Sequence, residues 1–370
     1  MVTKNARSLA AVCGLLVVCL LPAGPVNGQI RIDFETYDPI STLVVPEHPR
    51  TRAALPFVDV HSHQRNMNAD RLDELIRAMD TLNMRVMVNL SGGSGQSLKQ
   101  MVSTVKARYP GRFLVFANID FNGIGEDDWT ENTVKQLEED VRNGAAGLKI
   151  FKNLGFSVRD RDGQRVAVDD PRLEAIWEKC GELNIPVLIH TADPAPFWQD
   201  ADQQNERWLE LLIHSRRKRG PDDPAPWEQL IAEQHRMFKK HPNTTFIAAH
   251  FGWFANDLNK LDSLLAAMPN VMIEFGAVIA ELGRQPRMAR QFFIKNQDRI
   301  LFGKDSWVPE EYATYFRVLE TEDEYFPYHK KYHAFWRMYG LGLEKPILEK
   351  IYYRNALRAI PSLDRSLFPE

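Results

Sequence analysis

The stretch "FVDVHSHQ" (57–64) ends in two histidines separated by one serine. In a β-strand, side chains at i and i+2 leave on the same face, roughly 7 Å apart, so His61 and His63 point together. The apolar residues before them, Phe57 to Val60, read as a buried strand, which places the pair where that strand surfaces. Two neutral imidazoles converging on one point suit a transition metal. The same pattern also occurs by chance on exposed strands, so the pair alone does not decide.

Other chemistry-bearing residues fall at matching places. "IPVLIH" (185–190) ends in His190, "TTFIAAH" (244–250) in His250 and "RILFGKD" (299–305) in Asp305, while "AAGLKIF" (145–151) carries Lys149. With "FVDVH" (57–61), "RVMVNL" (85–90), "RFLVFANID" (112–120) and "NVMIEFG" (270–276), eight short apolar runs can be counted. Amphipathic segments such as "ADRLDELIRAMDTLN" and "TENTVKQLEEDVRNG" lie between them, the second closed by Gly144. Strands that are apolar throughout, each followed by a helix, imply a parallel sheet covered on both faces. Eight repeats match an α/β fold of the closed (β/α)8 TIM-type barrel kind, with an open doubly wound sheet as the alternative, since periodicity does not show closure. The carboxyl ends of barrel strands are where active sites are built. Spacing agrees: 86 residues from His63 to Lys149 allow three βα steps, and 55 from His250 to Asp305 allow two. The 60 residues from His190 to His250 hold one step and a long insertion.

The first 28 residues read as a secretory signal peptide: Lys4 and Arg7, an apolar run from Leu9 to Leu21, then Pro22, Gly24 and Pro25. That run is short of the ~20 residues a membrane span needs, so export to the periplasm or medium is expected, with no stable membrane insertion after cleavage. Removing the signal takes Cys13 and Cys19 and leaves Cys180, so no internal disulfide is available. Residues 29–56 lack periodicity and read as an N-terminal arm; residues 57–370 read as one barrel domain. Two connections are overlong, 153–169 with a hairpin turn at Asp162-Gly163, and 193–227, and both follow strands and so belong to the rim. A formal charge of −3 with a single short basic cluster, "HSRRKRG" (214–220), argues against nucleic-acid binding. A small-molecule substrate is the expected partner, and a homo-oligomer is compatible with the composition.

"DVHSH", "VLIHTADP", "FIAAHFG" and "LFGKDS", in that order, with "ILEKIYYRNALRAI" at the end, resemble the amidohydrolase superfamily, most closely its amidohydrolase-related branch. The resemblance spans residues 57 to 360. It implies a metal-bearing barrel of the metal-dependent hydrolase kind, although the branch also contains decarboxylases and hydratases. Carried over by position, it makes His61, His63, His190 and Asp305 the metal ligands, with Zn²⁺ the expected ion and Mn²⁺ the alternative. Asp305 would also take a proton from water and pass it to the leaving group, and His250 would orient the water or polarise the scissile bond. Lys149 is a fork. In two-metal members a strand-four lysine is carboxylated and bridges the ions; as an ammonium, Lys149 or Lys152 could hold a substrate carboxylate, and a lysine snorkelling to solvent is the third reading. Arg65 and Arg284 could bind an acidic group or form ordinary ion pairs, and Glu274 could line the pocket or be satisfied by backbone. His48, His214, His235, His241, His329 and His333 lack the ring spacing and read as surface or packing residues. The aromatic stretch 324–340 reads as packing over the barrel that could wall the substrate mouth, and Lys304 should point away from the metal. The expected activity is hydrolysis of a C–N or C–O bond in a small carboxylate-bearing substrate, with a decarboxylase or hydratase as the alternative.

Overall fold

The computed structural model describes residues 37–370. The expected signal peptide, and residues 29–36 of the expected arm, lie outside the described residues. Residues 37–44 belong to a separate unit and hold neither helix nor strand; the second unit runs from Val45 to Glu370.

All eight apolar runs become parallel strands: β1 (Phe57–Ser62), β2 (Met84–Asn89), β3 and β4 (Phe113–Val115 and Ala117–Asn118, one run interrupted at Phe116), β5 (Leu148–Ile150), β6 (Val187–Ile189), β7 (Phe246–Ala248), β8 (Val271–Glu274) and β9 (Ile300–Leu301). They pair in the orders β1-β2-β3 and β4 through β9. At the interruption, the Phe116 N–H donates to Asn89 O and the Ala117 N–H to Gly147 O, so the chain passes from one neighbour to the other without leaving the wall. The ring closes where Val60 N–H donates to Phe302 O (2.9 Å) and Asp305 N–H to His61 O (2.7 Å). The sheet is therefore a closed (β/α)8 barrel, and the open-sheet alternative falls.

The helices follow the periodicity that specified them. In Ala69–Leu82 the buried residues are Leu72, Leu75, Ile76, Met79 and Leu82, one apolar stripe at helical spacing. Asn68 caps this helix by accepting from Arg71 N–H, and Asn83 ends it at φ 70°. Phe57 and Phe302, from the first and last strands, have ring centroids 4.7 Å apart. Tyr312, Phe316 and Tyr352 pack around Phe57 at 5.4–6.2 Å, so the seam is closed by apolar burial as well as by hydrogen bonds. The Asn-Ala pair of the closing helix has a direct structural use: Asn355 donates to Gln297 O and Ile300 O, both at 2.7 Å, tying Asn355–Ala359 to β9.

Both overlong connections have structure of their own. Residues 158–166 make a short antiparallel turn about Gly163, with Val166 N–H donating to Val158 O. The 193–227 segment contains a helix, Trp208–Ile213, bracketed by short 3-10 turns. A small antiparallel pair, β10 (Phe326–Pro327) and β11 (Arg337–Met338), frames the aromatic stretch.

Candidate active site

His61 and His63 emerge from β1 as the sequence required, with Nε2 atoms 3.2 Å apart. Each Nε2 lies 3.5 Å from Asp305 Oδ1, so three donors from the first and last strands meet in one cluster. Asp305 adopts φ 81°, a strained backbone for a non-glycine residue, and so aims its carboxylate inward. His250 reaches the same floor through an unusual turn: His250, Phe251, Gly252 and Trp253 all have φ between 55° and 64°. Left-handed backbone costs roughly 1–2 kcal/mol per L-residue, so this run has to be held by its surroundings. Trp253 contributes by donating from Nε1 to Thr191 O (2.8 Å) and lying 4.6 Å from the His250 ring.

Hydrogen bonding fixes which nitrogens carry protons. His61 Nδ1 lies 2.9 Å from the buried carboxylate of Glu274, which can only accept, so the proton is on Nδ1 and the Nε2 lone pair faces the cluster. His250 Nδ1 likewise donates to Gly276 O (2.6 Å), leaving its Nε2 as the open nitrogen. His63 Nδ1 has Ser91 Oγ at 3.0 Å. Burial holds the His61 and His190 rings well below the ordinary histidine range and pushes His63 down to about 4, with the Lys149 amine adding to the effect on both His61 and His63. Burial alone would raise Asp305, but His61, His250, His63 and Lys149 outweigh it and hold its carboxyl below the usual range. At neutral pH the cluster is thus two uncharged imidazoles and one carboxylate, with the His61 Nε2 lone pair aimed at Asp305 and His63 Nε2 beside both. Only a cation or a shared proton relieves that convergence, and the N₂O donor set fits a divalent ion of the zinc type.

His190 stands beside this cluster and is not one of its three donors. Its Nδ1 is 3.4 Å from His250 Nε2, and its own Nε2 is buried with no hydrogen-bond partner among the described residues. A buried nitrogen with no protein partner of this kind is suited to a ligand position. A second grouping, His61, His250 and Glu274, is also close, but there the Nδ1 atoms are already donating, so it is structural.

Lys149, on β5, is fully buried, and its Nζ has no hydrogen-bond partner among the described residues. It sits 5.5 Å from the centre of the Phe151 ring. Burial lowers its pKa to about 8, against the pull of Asp305 and Glu274. The snorkelling reading is therefore wrong: a strand three residues long in a closed barrel gives the side chain no route to solvent. Arg65 is exposed and does not line the cavity; the residue before it, Gln64, is clamped by the Asn89 side chain, which accepts from its backbone N–H and donates to its carbonyl. Glu274 does not line it either; it is satisfied by histidine and backbone donors. Lys304 sends its ammonium to Glu311 (2.6 Å) and Ser306 O, away from the His61–His63 pair.

Above the cluster lies a cavity of about 230 Å³. His190, His250 and Asp305 form its floor, and the long insertion and the aromatic stretch form its walls. Lys152, Arg217 and Lys330 border it, half exposed. Each shares its carboxylate with a second cation. Lys152 and Arg219 both meet Asp193, Arg207 and Arg217 both meet Glu210, and Lys304 and Lys330 both meet Glu311. Including Glu281, which pairs with Arg207, and the Asp305 carboxylate of the floor, six cations face five carboxylates, leaving one positive charge in surplus. Sequence reading missed most of this wall, since it sits on loops and no strand-end rule points to it. His333, read as packing, borders the cavity with Nδ1 3.5 Å from Glu210. Arg284 makes an ordinary pair with Glu206 and stacks on Trp336 at 4.1 Å.

Residues 58–361 match the family described as Amidohydrolase. The chain belongs to the amidohydrolase family. That family is metal-dependent, in keeping with the donor cluster found here. Among solved structures, a putative amidohydrolase from Staphylococcus aureus is similar at 16% identity, with 83% of this chain and 100% of that one covered and a TM-score of 0.54. The 2,6-dihydroxybenzoate decarboxylase from Rhizobium aligns at 16% identity, 83% and 99% coverage and a TM-score of 0.52. The 4-oxalomesaconate hydratase from Rhodopseudomonas palustris does so at 13% identity, 84% and 97% coverage and a TM-score of 0.50. At such identities the likeness speaks for the barrel and not for a shared reaction. Among curated proteins no sequence relative matches the chain.

Proposed function

We propose that this amidohydrolase cleaves a C–N or C–O bond of a small carboxylate-bearing molecule with water, using a divalent ion held by His61, His63 and Asp305, with His190 as a further ligand. The observation that carries the reading is the convergence of His61 Nε2, His63 Nε2 and Asp305 Oδ1 on one point, under a cavity with surplus positive charge. Zn²⁺ is the ion we favour, with Mn²⁺ as the alternative; when bound, it supplies the Lewis acidity that makes water nucleophilic near neutral pH. Asp305 accepts the proton that water loses and returns it to the leaving group, a task its lowered pKa permits because it stays ionised. His250, with Nδ1–H held by Gly276 O, offers Nε2 to the reacting centre at the cavity floor. Lys152, Arg217 and Lys330 receive the substrate carboxylate at the wall. Lys149, a buried amine with no hydrogen-bond partner among the described residues, would either attract a second anion or, by taking up CO₂ and losing a proton, become a carbamate able to hold a second ion.

Decarboxylation or hydration uses the same groups, and the activities named for the Rhizobium and Rhodopseudomonas barrels make this the second reading. The two part on what meets the ion, water or the substrate's own carboxylate. Protein expressed with zinc and manganese should be assayed against lactones, amides and aromatic acids, with products weighed. Gain of water supports hydrolysis or hydration, and loss of CO₂ supports the lyase. Well under one ion per chain together with no metal-stimulated turnover would sink both. We further propose export through residues 1–28, which N-terminal sequencing of the mature protein would test.

A further inference from the structure

Behind the donor cluster, the carboxylate of Glu274 accepts three hydrogen bonds. His61 Nδ1–H (2.9 Å) and the backbone N–H of His250 (2.8 Å) both donate to Oε1, and the Gly276 N–H donates to Oε2 (2.6 Å). The carbonyl of the same residue, which belongs to the next peptide group, accepts from His250 Nδ1 (2.6 Å). A closed circuit results: Glu274 holds the Gly276 N–H, the Gly276 carbonyl holds the His250 ring, and Glu274 holds the His250 backbone and the His61 ring. The carboxylate sits in a slot that two glycines leave open. A Cβ on Gly276 would lie 2.8 Å from Glu274 Oε2, and one on Gly303 would collide with the same oxygen.

We infer that Glu274 is the positioning residue of this site, setting the protonated nitrogen of His61 directly and that of His250 through the Gly276 backbone. Neither imidazole has another fixed acceptor at Nδ1. Without the carboxylate, each ring could move its proton to Nε2 and turn a donor where the site needs a lone pair. Hydrogen-bonded partners behind a ligating histidine typically govern metal affinity by about tenfold to a hundredfold. Glu274 is unusual in serving two rings with different duties. The inference rests on the metal reading only where affinity is measured; the proton positions stand without it.

The test separates the two arms of the circuit. Glu274→Gln can keep an oxygen at the Oε1 position for His61 and the His250 N–H, but its amide then faces the Gly276 N–H, donor against donor. The backbone at Gly276 must shift to relieve this, which displaces the Gly276 carbonyl that His250 Nδ1 donates to. Glu274→Ala removes both arms. Gly303→Ala keeps the negative charge and displaces it. The full-length protein and all three variants, labelled with ¹⁵N-histidine, would be examined by NMR in metal-free form for the proton positions of His61 and His250. Zinc affinity would be measured by chelator competition, and a thermal melt would establish folding. We expect Gln to move the His250 proton while leaving His61 and zinc affinity within about tenfold of wild type. Ala should shift both rings and weaken zinc by tenfold to a hundredfold. Gly303→Ala should follow Ala, and it supplies the measurement if Ala fails to fold. A folded Ala or Gly303→Ala variant with wild-type histidine signals would overturn the inference, as would Gln and Ala variants with identical His250 signals. If wild type binds no zinc, the metal reading fails, while the histidine signals still judge Glu274.

Discussion

Arg207 links the long rim insertion to the barrel, and removing it should expose how much that link contributes. Its guanidinium donates to Glu210 (2.9 Å) and pairs with Glu281 on the helix Ile279–Gly283; all three side chains are buried. Glu210 has Arg217 and His333 as further partners, but Glu281 has no other cation among the described residues, and its Oε2 is already without a hydrogen bond. Arg207→Ala therefore strands one buried carboxylate, a defect worth about 3–5 kcal/mol. For the 326 residues from Val45 to Glu370, an unfolding entropy of about 2.1 cal/mol/K per residue gives roughly 0.7 kcal/mol/K. The melting temperature should then fall by about 4–7 °C in scanning calorimetry. The double variant Arg207→Met, Glu281→Leu replaces the pair by apolar groups of similar size, and it should recover most of the loss. A single variant within about 1 °C of wild type, or a double variant as unstable as the single, would refute the argument that Glu281 depends on Arg207.

Three further outcomes bear on the site itself. His61→Ala or His63→Ala should strip the ion or weaken it greatly, measured as metal per chain, because each removes one of the few protein ligands. Asp305→Asn should retain part of the metal yet lose turnover by about 10²–10⁴-fold, since an amide takes no proton from water. Lys149→Ala distinguishes its two roles: halved metal content indicates a bridging carbamate, and unchanged metal with a raised KM indicates an ammonium that binds substrate.

The barrel and the floor of the site were legible because both obey local rules. Period-two placement put His61 and His63 on one face, and the ends of apolar runs put His190, His250 and Asp305 on one rim. The wall was not legible, since its geometry depends on how the 193–227 segment folds back. Arg217 and Arg219 of the basic cluster turn inward to Glu210 and Asp193, while Arg216 remains exposed. Weighed only against nucleic-acid binding, the cluster hid two cations that turn inward, because loop conformation is set by tertiary contacts and not by periodicity. His333 escaped for the same reason. Glu274 offered a weak sign, a carboxylate ending an apolar strand, but its three donors come from chain segments that only closure brings together. Lys149 was placed on the right strand with three readings open, and its burial removes one of them, the side chain reaching solvent.

The closure of the ring between β1 and β9 has a consequence for how the protein is made. His61 and Asp305 are separated by 244 positions, so a ribosome working at about 5–20 residues per second needs roughly 12–50 s to add the second after the first. Throughout that interval the nascent chain carries the imidazole pair with neither its carboxylate partner nor the strand that orients it. Full affinity for an ion can arise only after the last strand docks against the first, which makes metal capture a late event that reports a completed barrel. A chain cut short before residue 305 would contain most of the fold's mass and none of its finished centre. Once captured, the ion would fasten the two ends of the sheet at the seam that formed last, where the cost of bringing distant segments together is greatest.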